Sequence, residues 1–293
     1  MDIVFNVNPL GLEGLGATLT SLIRNCSNSQ ELKLWFLCAD FRAQDKDNIS
    51  QLLKSEGFKG AVEFIDFDAK AIFGHLRSLH GDWTAYGRLL IANHVKSDSA
   101  LYLDADLVIL LDILTLKNFE FEGAILAAVY GCVISWALDG SFFINHLKWS
   151  PNESYFNSGI VLFNLKKWRE ANIEAKWKEL AEKYPEDLIS HDQTLLNAVC
   201  EGHFARLSTQ FNNPWYPGDE KPEGADVSII HFVGSPKPWD IFGRYIHKGN
   251  KIFKAYNTPT WEKEYGKLTM EKIGRTWKIK KSIFKHLKKK MLK

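Results

Sequence analysis

Residues 99–112, Ser-Ala-Leu-Tyr-Leu-Asp-Ala-Asp-Leu-Val-Ile-Leu-Leu-Asp, constrain the fold more than any other stretch of the chain. Residues 101–103 read as the end of a buried strand, and 107–111 as a second apolar run of strand length. Asp104 and Asp106 sit between the two runs. Two residues apart in a straight strand, they would project from one face, but only a local bend at the strand end lets both aim at one ion. Ala105 between them leaves room for a ligand to approach the backbone. Unpaired carboxylates beside apolar strands are costly, so a cation is expected there, and a divalent metal carrying a diphosphate fits.

The spacing alone is a weak signal. Asp45-Lys-Asp47 and Asp66-Phe-Asp68 share it without the flanking apolar runs, and both read as solvated helix or loop residues. At 293 residues, with 45% hydrophobic and 25% charged residues, the chain is ordinary globular material with room for a substantial core. The opening residues 1–5 carry an acid and read as strand rather than as a secretory leader. The longest uncharged run, 123–138, is too short to span a bilayer. Cys26, Cys38, Cys132 and Cys200 form no C-x-x-C pair, which argues against a zinc knuckle or a disulfide framework and suits a reducing cytosol.

Strands are expected over 2–7, 32–38 and 62–65, with helices over 15–24 and 44–55 between them. This alternation predicts an α/β fold: a mostly parallel central sheet with helices on both faces, whose ligands bind at the carboxyl ends of the strands. Asn6 to Asn8 and Asp104 to Asp106 would both fall there. Glycines 11, 14 and 16 follow the first strand in the order G-x-x-G-x-G, which is not the dinucleotide-binding order. The segment 70–82, with His80, looks like a loop or lid. Arg88 lies on an apolar helix just before the central strand, as either a satisfied core ion pair or a sugar or phosphate contact. Farther on, Asn157-Ser158-Gly159 precede a buried strand, and His191-Asp192-Gln193 head an apolar helix, where capping is the simplest role. Trp215 and Tyr216 sit in a proline- and glycine-rich loop, suited to stacking on a sugar or merely pinning the loop. A late strand over 227–230 leads into His231-Phe-Val-Gly234-Ser-Pro-Lys237-Pro-Trp239.

Taken in order, residues 1–5, Tyr86-Gly-Arg88, Leu-Tyr-Leu-Asp104-Ala-Asp106, Tyr-Phe-Asn157-Ser-Gly159, Asp192-Gln193 and the 231–239 segment resemble glycosyltransferase family 8 over roughly residues 1–250. The bacterial lipooligosaccharide galactosyltransferases and glucosyltransferases are the most similar group. The resemblance implies a GT-A fold, a UDP-hexose donor (UDP-galactose or UDP-glucose), a manganese or magnesium ion, and retention of anomeric configuration. It places the metal on Asp104, Asp106 and His231, and the diphosphate on Gly234 and Lys237, with His80 nearby. Arg88, Ala105, Asn157, Asp192 and Gln193 would line the donor, Asp192 and Gln193 nearest the chemistry. In the first strand, where the family commonly has an acid pair that meets uridine, this chain has Asn6-Val7-Asn8, and an amide can still hydrogen-bond the base. No carboxylate aligns below the anomeric carbon, whereas Gln193 does. Same-face attack follows, a phosphate oxygen taking the acceptor's proton and Gln193 steadying the developing cation.

Two other classes compete. A metal-dependent sugar nucleotidyltransferase would be expected to carry a base in its glycine-rich loop, and residues 11–16 contain none. A non-catalytic nucleotide-sugar-binding protein would not need His231, Lys237 and Gln193 together. The acceptor is expected to be an oligosaccharide, as in lipopolysaccharide biosynthesis, with no nucleic acid partner.

Residues 251–293 form a basic helical segment after a catalytic domain over 1–250. Eight of the 37 basic residues are the lysines of 278–293, so the remaining 29 face 35 acids and the body carries a net −6. Trp277, Ile279, Ile283, Phe284, Leu287, Met291 and Leu292 fall largely on one helical stripe with lysines around the rest. That pattern predicts an amphipathic helix on an anionic inner-membrane surface and a cytoplasmic, peripheral enzyme. The alternative is a basic helix packed on the acidic body.

Overall fold

A computed structural model describes residues 1–291. Leu292 and the side chain of Met291, the end of the expected tail stripe, lie outside the described residues. Seven strands form the main sheet: β1 Asp2–Val7, β2 Lys33–Cys38, β3 Ala61–Asp66, β4 Ser99–Leu103, β6 Leu126–Val133, β7 Ser154–Asn164 and β8 Ala205–Leu207, in the order β3-β2-β1-β4-β7-β6-β8. Only β7 runs against its neighbours, β4 and β6, so the sheet is mostly parallel as expected. Its central strands β1, β4 and β7 carry long buried apolar runs because both faces are covered there, whereas the edge strand β3 is half-exposed. Ile3, Phe5, Leu101 and Leu103 enter one core, while Val4, Tyr102, Ala128 and Val161 enter the other.

A second, three-stranded sheet is made of β5 Leu107–Ile109, β10 Ile229–His231 and β9 Asn213–Pro214. The second apolar run of the central stretch therefore leaves the main sheet to begin another. Asp104, Ala105 and Asp106 are the corner between them, which supplies the bend that two carboxylates aimed at one point require.

Helix α1, Leu12–Asn25, packs closely under this corner. A Cβ on Gly14 would lie 2.5 Å from the carbonyl oxygen of Ala105, and one on Gly16 would lie 2.2 Å from the indole of Trp261. The glycines of the first turn thus serve close packing, and the indole Nε1–H of Trp261 donates to Leu12 O at 2.8 Å. Asp45, read from sequence as solvated, is fully buried inside α2, Ala43–Ser55. There it accepts hydrogen bonds from the Arg42 backbone and guanidinium and from the Tyr265 hydroxyl, so burial follows from satisfied pairing.

Trp215 is 4% exposed and packs against Phe232 and His247, so it pins its loop and cannot stack on a ligand, whereas Tyr216 is exposed. His247 closes that core as a neutral imidazole, pushed down to about 4 chiefly by burial. Its Nδ1 accepts from Gly249 N–H and its Nε2–H donates to Trp215 O.

Residues 251–265, counted from sequence with the tail, carry Phe253 and Trp261 into the body's cores. Two further helices follow, α4 Met270–Lys278 and α5 Lys280–Met291. The expected single stripe divides: Ile283 turns inward at 4% exposure, while Trp277 and Phe284 point outward at 70% each. Lys272 pairs with Glu13 and Arg275 with Asp240, fastening α4 to the body. Among the described residues no helix is long and apolar enough to cross a membrane.

Candidate active site

Asp104, Asp106 and His231 converge, with one ligand atom from each lying within 4.8 Å of the others. His231 arrives on the last residue of β10, paired in register with Leu107, the first residue of β5. Its Nε2 is 3.3 Å from Asp106 Oδ1 and 3.9 Å from Asp104 Oδ2.

The tautomer of His231 is fixed by a chain of amides. Gly159 N–H donates to Asn157 Oδ1, which also accepts from Asn212 Nδ2, so Asn212 must turn its Oδ1 toward His231. That oxygen is 3.0 Å from Nδ1 and can only accept, which puts the imidazole proton on Nδ1 and leaves the Nε2 lone pair facing two carboxylates. Such a set repels itself unless a cation sits within it. Asp106 Oδ1 is buried without a hydrogen bond. A Cβ on Gly159 would lie 2.4 Å from His231 Cε1 and 2.7 Å from Asp104 Oδ2, so glycine keeps the space open. Oxygen and imidazole donors of this kind suit a divalent manganese or magnesium ion.

Lys237 stands beside this space: its Nζ donates to Asp106 Oδ2 at 2.5 Å and to Phe232 O. Burial pushes the Asp106 carboxyl up, but the Lys237 ammonium pulls the other way and holds Asp106 below the usual carboxylate range. Gly234, exposed in the same loop, has φ +79°, the left-handed backbone that glycine adopts without strain.

Arg88 is the hub of the other half. It lies on a short 3₁₀ segment, Thr84–Leu90, and not on the regular helix expected. Its Nε forms an ion pair with Asp192 Oδ2 at 2.9 Å and donates its hydrogen to Ala85 O at 3.2 Å, while Nη1 donates to Ser158 O and Oγ at 2.6 and 3.0 Å and Nη2 to Asp104 Oδ1 at 3.1 Å. The guanidinium also lies 4.3 Å from the ring centre of Tyr102, whose hydroxyl donates to Asp104 Oδ1 at 2.6 Å. These are the contacts of a satisfied core ion pair. Asp192 is not a simple helix cap: it is the first residue of α3, Asp192–Cys200, and is 3% exposed against Arg88. Burial raises its carboxyl to about 6, with Arg88 pulling the other way.

Gln193 is held at both ends of its amide. Oε1 accepts from Asn157 Nδ2 at 3.0 Å and Ser158 N–H at 2.9 Å, while Nε2 donates to the Tyr155 hydroxyl at 2.9 Å. That hydroxyl donates in turn to Asp139, a fully buried carboxylate. Asn157, Ser158 and Gly159 lie within β7, not ahead of it as the sequence implied.

The remaining predicted residues frame the site less directly. Asn6 donates to Thr84 O at 2.5 Å and leaves its Oδ1 buried without a partner. Asn8 caps the turn after β1 through Leu10 and Gly11 N–H and holds Asp82 at 2.6 Å. Ala105 presents its backbone to α1, and His80 lies exposed in the turn bridged by Leu79 and Asp82. Sequence reading missed Tyr102, Ser158, Asn212 and Asp139. Tyr102 alone carried a signal, since it shares a strand face with Asp104 two residues on.

The family model described as Glycosyl transferase family 8 matches residues 2–242. Among curated proteins, the lipopolysaccharide 1,3-galactosyltransferase of Salmonella typhimurium is 29% identical over 263 residues, covering 83% of this chain and 74% of that protein. General stress protein A of Bacillus subtilis is 26% identical over 267 residues, covering 84% and 90%. Among solved structures, the galactosyltransferase LgtC with donor and acceptor sugar analogues superposes with a TM-score of 0.73 at 23% identity, covering 90% of this chain and all of that one.

Proposed function

The chain belongs to glycosyltransferase family 8 and has its GT-A fold, and from that premise we propose a retaining hexosyltransferase that moves galactose or glucose from UDP to a glycan on a lipooligosaccharide, capsule or glycoprotein. The observation that carries this reading is the convergence of Asp104, Asp106 and the Nε2 lone pair of His231 beside Lys237. Those three residues would hold manganese or magnesium, which when bound supplies a Lewis acid for the diphosphate. Lys237 gives its ammonium to the leaving UDP, with Gly234 letting the loop approach the phosphates. Asn6 and Asn8, at the carboxyl end of β1, meet uridine. Arg88 orients Asp104 and Asp192 from behind, and Asn157, Asp192 and Gln193 face the hexose. Attack on the same face as departure keeps the anomeric configuration, with the fixed Gln193 amide steadying the oxocarbenium-like centre. Against a nucleotidyltransferase stands the use of Gly14 and Gly16 for packing, which leaves no phosphate-cradling loop there.

A panel of UDP-hexoses with manganese tests this reading. UDP is expected to appear from UDP-galactose or UDP-glucose, and NMR of the first glycoside formed is expected to show the donor's anomer. Pyrophosphate release from UTP and a sugar phosphate, an inverted first product, or binding without turnover on any acceptor would each reject it.

The outward residues Met270, Trp277 and Phe284, with the lysines of α5, support a peripheral position on the inner leaflet. Each lysine near an anionic surface contributes about 1 kcal/mol. The full chain is expected to sediment with phosphatidylglycerol vesicles at low salt. The variant Trp277→Asp/Phe284→Asp should stay in the supernatant while hydrolysing UDP-hexose at the original rate. Equal sedimentation of both proteins, or none of either, removes the membrane reading.

A further inference from the structure

We propose that Arg275, in the C-terminal helix α4, is a positioning residue that sets the placement of Lys237 through Asp240. The inference rests on the role given above to Lys237 at the leaving diphosphate. The Arg275 guanidinium grips Asp240 with two hydrogen bonds, Nε to Oδ1 at 2.7 Å and Nη2 to Oδ2 at 3.1 Å. A two-point contact of this kind fixes the plane of the carboxylate as well as its place. The same Oδ2 accepts the backbone N–H of Lys237 at 2.6 Å. The root of the lysine is thereby set by α4, while its tip rests on Asp106. On the other side of Lys237, the Ser282 hydroxyl of α5 donates to Ser235 O at 2.5 Å, so both tail helices hold the loop around one residue.

The loop has supports that do not depend on Arg275. Asn250 Nδ2 donates to Pro238 O at 2.8 Å, and Trp239 packs 4.8 Å from Phe253, ring centre to ring centre. Loss of Arg275 should therefore loosen the loop without unfolding it. Lysine at 275 would keep the charge but lose the two-point grip.

Displacement of a charge-stabilising group by about 1 Å can lower a rate by up to about a hundredfold. Because charge builds on the diphosphate only as the sugar leaves, the loss should appear in kcat and not in KM. Arg275→Ala is thus expected to lower kcat for UDP-hexose turnover about 10- to 100-fold, with donor KM changed less than about threefold and the thermal midpoint nearly kept. Arg275→Lys should recover part of the loss. In the background of Lys237→Ala, the change at 275 should add little, since both act on one group. Unchanged kcat in Arg275→Ala, a raised KM at constant kcat, or full additivity with Lys237→Ala overturns the inference. If Arg275→Ala does not fold, Asp240→Asn is read in the same cycle with the same criteria. A fully active Lys237→Ala enzyme would instead overturn the role of Lys237 itself.

Discussion

Asp106→Asn is expected to lower UDP-hexose turnover about a thousandfold or more, while the protein melts within a few degrees of the original. Three powers of ten correspond to about 4 kcal/mol of barrier, within the several kcal/mol a metal supplies at a leaving diphosphate. The substitution changes charge and almost no volume. It removes one anion from a set of three ligand groups and takes from Lys237 its carboxylate, leaving the ammonium on Phe232 O. The stability effect should be small because the corner is held through its backbone: Asp104 N–H donates to Gly159 O, and Phe232 N–H to Asp106 O. Asp104→Asn is the less clean variant, since Asp104 also accepts from Tyr102 and Arg88. Excess chelator on the unaltered enzyme should reproduce the loss, and the free manganese signal in electron paramagnetic resonance should fall on adding the enzyme but not the variant. Full turnover in the variant or in chelator would remove the metal from these residues.

The corner was legible because apolar runs on both sides of Asp104 and Asp106 leave the carboxylates nowhere to go but outward at a strand end. The parallel sheet was legible because strand and helix runs alternate at short spacing. What stayed hidden was set by long-range contact. The runs that become β5 and β10 were visible, but nothing local pairs them into a second sheet, and its third strand, β9, has only two residues. Asp45 looks like a surface charge until Tyr265, far along the chain, is seen to close over it. Trp215 reads equally as a sugar platform or as a pin for its loop, and His247 and Phe232 arrive from elsewhere in the chain to bury it in the second role. The amide chain from Gly159 to His231 joins three segments, and no local pattern marks Asn212 as its middle member. The tail's amphipathic character was plain, but its attachment to the Lys237 loop depends on Arg275 meeting Asp240 across the fold.

The largest stability effect is expected at Arg88. Arg88→Met should destabilise the fold by about 3–5 kcal/mol, the usual consequence of removing one partner of a buried ion pair. Methionine fills much of the volume and can pack on the Tyr102 ring, so lost packing is a minor part. The main part is Asp192, which is 3% exposed and pairs with Arg88. Even with Arg88 present, burial raises this carboxyl to about 6; without it the carboxyl rises further. A folded-state value above the unfolded one of about 4 means the folded protein binds the extra proton. Stability from this group is therefore greatest at low pH and falls as pH rises toward the folded value. The deficit of Arg88→Met against the original protein should be larger at pH 8 than at pH 5, read as urea midpoints. Adding Asp192→Asn to Arg88→Met should flatten that difference and return part of the stability, because an amide can stay buried against the Ser158 hydroxyl without charge. A deficit independent of pH, or a double variant weaker than the single one at pH 8, would mean that Arg88 stabilises through its contacts with Ser158 and Asp104 and not by compensating Asp192.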